Sequence, residues 1–134
     1  MDNNKIAGIE NYAGILQRID ALFNLSLPEI KKKYKGYPIC VVDYSEKGKE
    51  EKSIEIRFDE EEITITCLFN TEEKCNFIYL FSDNDETIEG CISYFKDTFE
   101  YNYIENRWTT PHCFIRVKET KRLSDNICLV FYYS

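Results

Sequence analysis

Histidine occurs once in these 134 residues, at His112, and no Cys-x-x-Cys pair is present. A multi-histidine metal centre is thereby excluded, and a structural zinc site would have to draw its cysteines from distant segments. Glycine is scarce, confined to Gly8, Gly14, Gly36, Gly48 and Gly90. None falls in a G-x-G-x-x-G, G-x-x-x-x-G-K-S/T or G-x-S-x-G pattern, so neither a phosphate-cradling loop nor a nucleophile elbow is indicated. No apolar run approaches the roughly 18 residues that span a bilayer. The longest, Ile127 to Tyr133, has the length of one strand. The opening Met1-Asp2-Asn3-Asn4-Lys5 lacks the basic stretch of an export signal, and Glu10, Asn11, Gln17, Arg18 and Asp20 break up the continuous apolar stretch that such a signal needs next. The expected compartment is the cytoplasm, with no membrane partner.

Six cysteines are present. Cys40, Cys67, Cys113 and Cys128 fall in or beside apolar, β-prone segments, and Cys91 falls on a helical apolar stripe. Free cysteine packs as a small hydrophobe, and a chain of this size needs no covalent staples, so they are expected to be reduced and buried. Such a chain can bury roughly two-thirds of its unfolded surface. No repeat, low-complexity tract or Gly/Ser/Pro-rich linker divides it, and residues 1–134 are read as a single globular α+β domain.

Ile9, Tyr12 or Ala13, Leu16, Ile19 and Phe23 recur at the spacing of an amphipathic helix. Ser26-Leu27-Pro28-Glu29 supplies an N-cap serine, a proline in the first turn and the glutamate of a capping box. A second helix should run to about Tyr34, with Gly36 suited to a left-handed cap and Pro38 blocking continuation. Ile39 to Tyr44 reads as a strand and Ser45 to Lys52 as a charged loop. Ile54, Ile56 and Phe58, then Ile63, Ile65 and Cys67, alternate with polar residues as a hairpin with one wet face. Cys75 to Phe81 is apolar on both faces, as a central covered strand would be.

Asp83 to Glu86 resembles a helix start, followed by Ile88, Cys91, Ile92, Phe95 and Phe99 at helical spacing. Glu100 to Glu105 reads as a short strand and Arg107 to His112 as a loop. Cys113 to Glu119 and Asn126 to Tyr133 form a final hairpin around a polar loop. The order is ααββββαβββ. Short polar turns between strands favour a predominantly antiparallel sheet of about six or seven strands, with the helices packed on one face.

Charge is unevenly distributed. Between Asp59 and Glu105 there are 13 acidic and two basic residues, against 11 acidic and 15 basic in the remainder, for a net −7. The acidic pieces are Asp59, Glu60, Glu61 and Glu62 in one turn, Glu72 and Glu73 in another, and Asp83, Asp85 and Glu86 at a helix start. They serve either as a solvated face that complements a helix dipole or, if they meet, as a negative patch that steers a basic protein. Direct nucleic-acid binding is disfavoured, because phosphate contacts need a basic face. The basic clusters, Lys31-Lys32-Lys33-Lys35 and Arg116-Lys118-Lys121-Arg122, read as solvated surface.

Candidate chemistry is thin. Successive strand residues point to opposite faces, so His112 and Cys113 are badly placed to form a thiolate-imidazole pair. Asp43 is the one carboxylate embedded in a strongly apolar strand, where an edge position explains it better than catalysis. Ten tyrosines, nine phenylalanines and one tryptophan exceed what the core obviously requires. Tyr101, Tyr103, Trp108, Tyr132 and Tyr133 lie in or near short polar segments or at the C-terminal end, and Tyr and Trp are favoured at interface hot spots. The expectation is a non-enzymatic acidic module, without cofactor or metal, that occludes a basic partner stoichiometrically. Immunity and antitoxin proteins are similar in size, acidity and aromatic content, and a phage-encoded inhibitor is a variant. A small-molecule-binding or weakly catalytic domain with a pocket between helix and sheet, and a structural subunit that self-associates as a homodimer, are the alternatives.

Overall fold

The computed structural model describes residues 8–46, 49–120 and 126–133, with the side chains of 12–42, 52–119 and 127–133 placed. Among the described residues, three helices and eight strands follow in the order α1 (Gly8–Asp20), α2 (Leu27–Lys33), β1 (Ile39–Glu46), β2 (Lys49–Phe58), β3 (Ile63–Phe69), β4 (Cys75–Ser82), α3 (Asp85–Thr98), β5 (Glu100–Asn102), β6 (Arg107–Thr109), β7 (Phe114–Thr120) and β8 (Asn126–Tyr132). The strands form one antiparallel sheet in the order β1-β2-β3-β4-β8-β7-β6-β5. Each half of the chain contributes a four-stranded meander, and the second folds back so that β8 pairs with β4.

The alternation in β2 and β3 buries Ile54, Ile56, Phe58, Ile63, Ile65 and Cys67. One register row crosses most of the sheet, Ile54–Cys67–Ile78–Phe131–Ile115–Trp108, and every member is buried. These residues share one core with Ile19, Leu22, Ile30, Ile88, Cys91 and Phe95 of the helical segments. On α1 the stripe is broader than its spacing indicated, because Ile15 is also buried, as is Leu22 in the turn that follows. The capping box of α2 is formed: the Ser26 N–H donates to Glu29 Oε1 at 2.9 Å and the Glu29 N–H to Ser26 Oγ at 3.3 Å. Beyond α1 the chain is tied to the sheet by two backbone bonds of 2.8 Å, Asn24 N–H to Cys75 O and Cys75 N–H to Leu25 O.

Three expectations are corrected. The sheet has eight strands, because Arg107–Thr109, expected to be loop, pairs with both β5 and β7. A three-residue ladder leaves no periodic signal, and here the buried Trp108 anchors it. Second, the charged stretch expected as a loop from Ser45 to Lys52 is strand on both sides, with Glu46 opposite Lys49 and Asp43 opposite Lys52. A hairpin at a sheet edge can be wetted on both faces, so charge does not prevent pairing. Gly48 lies outside the described residues. Third, α2 stops at Tyr34 as expected, with the Tyr34 N–H bonded to Ile30 O at 3.0 Å, but Gly36 does not take the left-handed conformation.

Helix α1 packs on α3 at Gly90, where an added Cβ would overlap the hydroxyl and ring of Tyr12. Glycine in a helix interior costs about 1 kcal/mol relative to alanine, whereas overpacking costs about 1–3 kcal/mol. Gly90→Ala is therefore expected to destabilise the protein. In a Tyr12→Ala background the same change should stabilise it by about 1 kcal/mol. Urea unfolding of the four proteins measures the coupling, and equal effects in both backgrounds would contradict this packing.

Candidate functional site

In an antiparallel meander, alternate turns lie at opposite ends of the sheet. The β2–β3 turn and the β4–α3 junction share one end, and the β3–β4 turn lies at the other. Asp59 to Glu62 and Asp83 to Glu86 are accordingly brought together. The Ser82 hydroxyl joins them, donating to Glu62 O at 2.7 Å and accepting from the Asn84 N–H at 3.1 Å. Asn84 caps α3 through its side-chain oxygen, which accepts from the Glu86 N–H at 3.0 Å. Glu62 holds the turn with a left-handed φ of 60°. Two carboxylates are neutralised locally: half-buried Glu61 pairs with Arg18, and Asp59 lies 3.4 Å from Arg57. Glu60, Glu62, Asp83, Asp85 and Glu86 are exposed.

Glu72 and Glu73 do not join this group. They sit in a tight turn in which Asn70 Oδ1 accepts from the backbone N–H groups of Glu72 and Lys74, at 2.9 and 3.0 Å. The seven residues of β3 separate that turn from the acidic end by about 23 Å. Two of the three acidic segments thus meet at one end of the sheet, and the third lies apart from them.

The aromatic candidates are also redistributed. Trp108 is 3% exposed and belongs to the core, with Phe95 at 5.6 Å and Tyr101 at 5.0 Å between ring centroids. Tyr101 is half-buried, and only Tyr103 stands out, at 83% exposure. β5 and β3 lie five positions apart in the sheet, about 24 Å, so these rings do not adjoin the acidic turns. They line a groove of about 750 Å³ beside α3, together with Ile92, Phe99, Val117 and one cation, Lys96.

From the acidic end a series of rings runs along the sheet, of which the sequence singled out only Tyr132. On the sheet face opposite the core row, Phe77, Tyr79 and Phe81 follow one another along β4 with centroids 5.5 and 5.9 Å apart. Tyr132 stacks on Phe77 at 5.5 Å, and Phe114 lies 5.8 Å from Tyr132. Arg107 sits 3.7 Å over Phe114, Arg116 5.7 Å over Tyr132 and Lys118 5.3 Å over Tyr79. Phe81, 36% exposed, lines the same shallow cleft as Asp59, Glu62 and Asp83. The signal available was the spacing of three rings at every second position. It matches a strand covered on both faces, but here half-burial is shared among the rings and the cations beside them.

Cys113 lies buried just ahead of β7 while neighbouring His112 is exposed, and neither lies within the strand. The Cys113 thiol lies 3.5 Å from Thr110 Oγ1 and 3.8 Å from Asp20 Oδ1. Burial pushes it up to about 12, so it stays protonated and unreactive at neutral pH. Burial also raises the Asp20 carboxyl, partly opposed by His112 and by the hydrogen bond from Cys113. The Asp43 and Lys121-Arg122 side chains lie outside the described residues. Among the described residues, no group of three or more His, Cys, Asp or Glu could hold a metal ion. Compared with known proteins, the chain matches no family model, no curated protein and no solved structure.

All six cysteines are free, and Cys40 alone is exposed. Native protein should expose one thiol to a maleimide quickly and the other five only in denaturant, with mass spectrometry placing the first label on Cys40. Asp20 supplies a pH test. A carboxyl raised in the fold favours folding while protonated, and that contribution is lost as pH rises through the raised folded value. Asp20→Asn should thus gain stability relative to the parent between about pH 3 and pH 7. A pH-independent difference in urea midpoint would contradict the placement of this carboxyl.

Proposed function

We propose that this chain is a protein-binding module that inhibits a basic partner by stoichiometric occlusion, in the manner of immunity and antitoxin proteins, including phage-encoded inhibitors. The observation that carries the reading is the meeting of Asp59–Glu62 and Asp83–Glu86 at one end of the sheet, beside exposed Phe81. Carboxylates on a protruding end raise the rate of encounter with a positive surface, and large rings next to them set the rate of dissociation. Phe81, Tyr79 and Phe77 take the anchoring role assigned from sequence to Tyr101, Tyr103 and Trp108. We read all three helices as lying against the core face, which leaves the ringed face free for a partner.

Immobilised protein exposed to lysate from its native source tests the proposal. The expected capture is one basic protein in a one-to-one complex. Glu62→Lys with Asp85→Lys should slow its association by about tenfold at low salt, and Phe81→Ala should mainly speed dissociation. Glu72→Lys with Glu73→Lys, at the opposite end, should leave both rates unchanged. Binding insensitive to the first pair, or a self-association that buries the ringed face with no partner bound, would overturn the reading.

A further inference from the structure

The groove beside α3 is separate from the acidic end, and its composition points to a ligand of its own. Four aromatic side chains, Phe99, Tyr101, Tyr103 and Trp108, form most of its wall with Val117. Val117 is 37% exposed, unusual for an apolar residue whose strand neighbour Ile115 is fully buried. The volume of about 750 Å³ falls within the range of small-molecule sites. Beside the Tyr101 and Tyr103 hydroxyls, two further polar groups interrupt the apolar surface of the lining. Lys96 forms no ion pair among the described residues, and no carboxylate shares the wall with it. The indole N–H of Trp108 is buried and has no acceptor. A buried donor left without a partner opposes folding, and indole N–H groups in protein interiors ordinarily find an acceptor.

We propose that this groove binds a small amphipathic carboxylate, an acid with an aromatic or branched apolar body. Its carboxylate would lie opposite the Lys96 ammonium and, after a local movement of the wall that uncovers the buried Trp108 N–H, accept from it, and its apolar body would lie against Tyr101, Tyr103 and Phe99. An aromatic wall could also suit a quaternary ammonium through cation–π attraction. Lys96 argues against that occupant by like-charge repulsion, and a cation offers the indole N–H no acceptor. The site does not depend on the acidic end, so each can fail without the other.

Trp108 is the only tryptophan in the chain. Its fluorescence and its single indole N–H resonance therefore report on this groove alone. The full-length protein is titrated with 4-phenylbutyrate, with the neutral 4-phenyl-1-butanol and with benzyltrimethylammonium. The acid should bind saturably, about tenfold more tightly than the alcohol, and move the indole proton downfield as it gains an acceptor. Lys96→Met, at an exposed position, should bring the acid close to the alcohol while leaving the alcohol unchanged. The proposal is overturned if the alcohol matches the acid in the parent, if the ammonium binds more tightly, if the indole resonance stays in place, or if no probe saturates.

Discussion

The pairing of β4 with β8 is the constraint on which the remainder of the molecule depends. It joins Phe77 to Tyr132, Ile78 to Phe131, Tyr79 to Val130 and Leu80 to Leu129, the one ladder between the two meanders. Its residues are about fifty positions apart in the chain, so the closure entropy must be met before any of the intervening segment is rewarded. Both faces of the junction contribute. On one face Ile78, Leu80, Leu129 and Phe131 enter the core, and on the other Tyr132 stacks on Phe77. Had β8 paired elsewhere, α3 would lose the Phe131 ring, against which Phe95 packs edge-on.

The electrostatic layout is set by the same topology. Strand direction decides which acidic segments meet, and the meander places Glu72-Glu73 away from the other two whatever their sequence proximity. The carboxylates that hold the acidic end together differ from those that project from it. Glu61 pairs with Arg18 on α1, whose guanidinium also lies 4.3 Å over the Phe58 ring, so this turn is fastened to helix and core at once. The cations of the ringed face are likewise engaged, stacked on Phe114, Tyr132 and Tyr79. A net charge thus conceals an acidic end and a cation-bearing face on one sheet.

Local physics was legible in the sequence, and long-range pairing was not. The capping box at Ser26, the Asn84 helix start and the alternation through Ile54–Phe58 and Ile63–Cys67 each arise from interactions within a few residues, and each is present. The eighth strand escaped because three residues carry no period. Trp108 was misjudged because its polar neighbours, Arg107 and Thr109, point the other way from a strand too short to announce itself. Val130 and Cys128 show the same limit in reverse: apolar on the face opposite the core row, they are nonetheless buried at 4% and 1% exposure, unlike Phe81 two positions beyond Tyr79 on the adjacent strand. Which residue of an aromatic or apolar series becomes surface depends on its neighbours across the ladder, and a single strand does not contain that information.

Helix α3 links places that the sheet holds apart. Its first turn belongs to the acidic end through Asn84 and Ser82, and its last turn supplies Lys96 and leads into Phe99 at the groove. Fourteen helical residues make a rod about 21 Å long. The acidic end and the groove are therefore the two ends of one stiff strut, wedged at its middle by Gly90 against Tyr12. The separation of the carboxylates from the groove is thus set by the length of one helix.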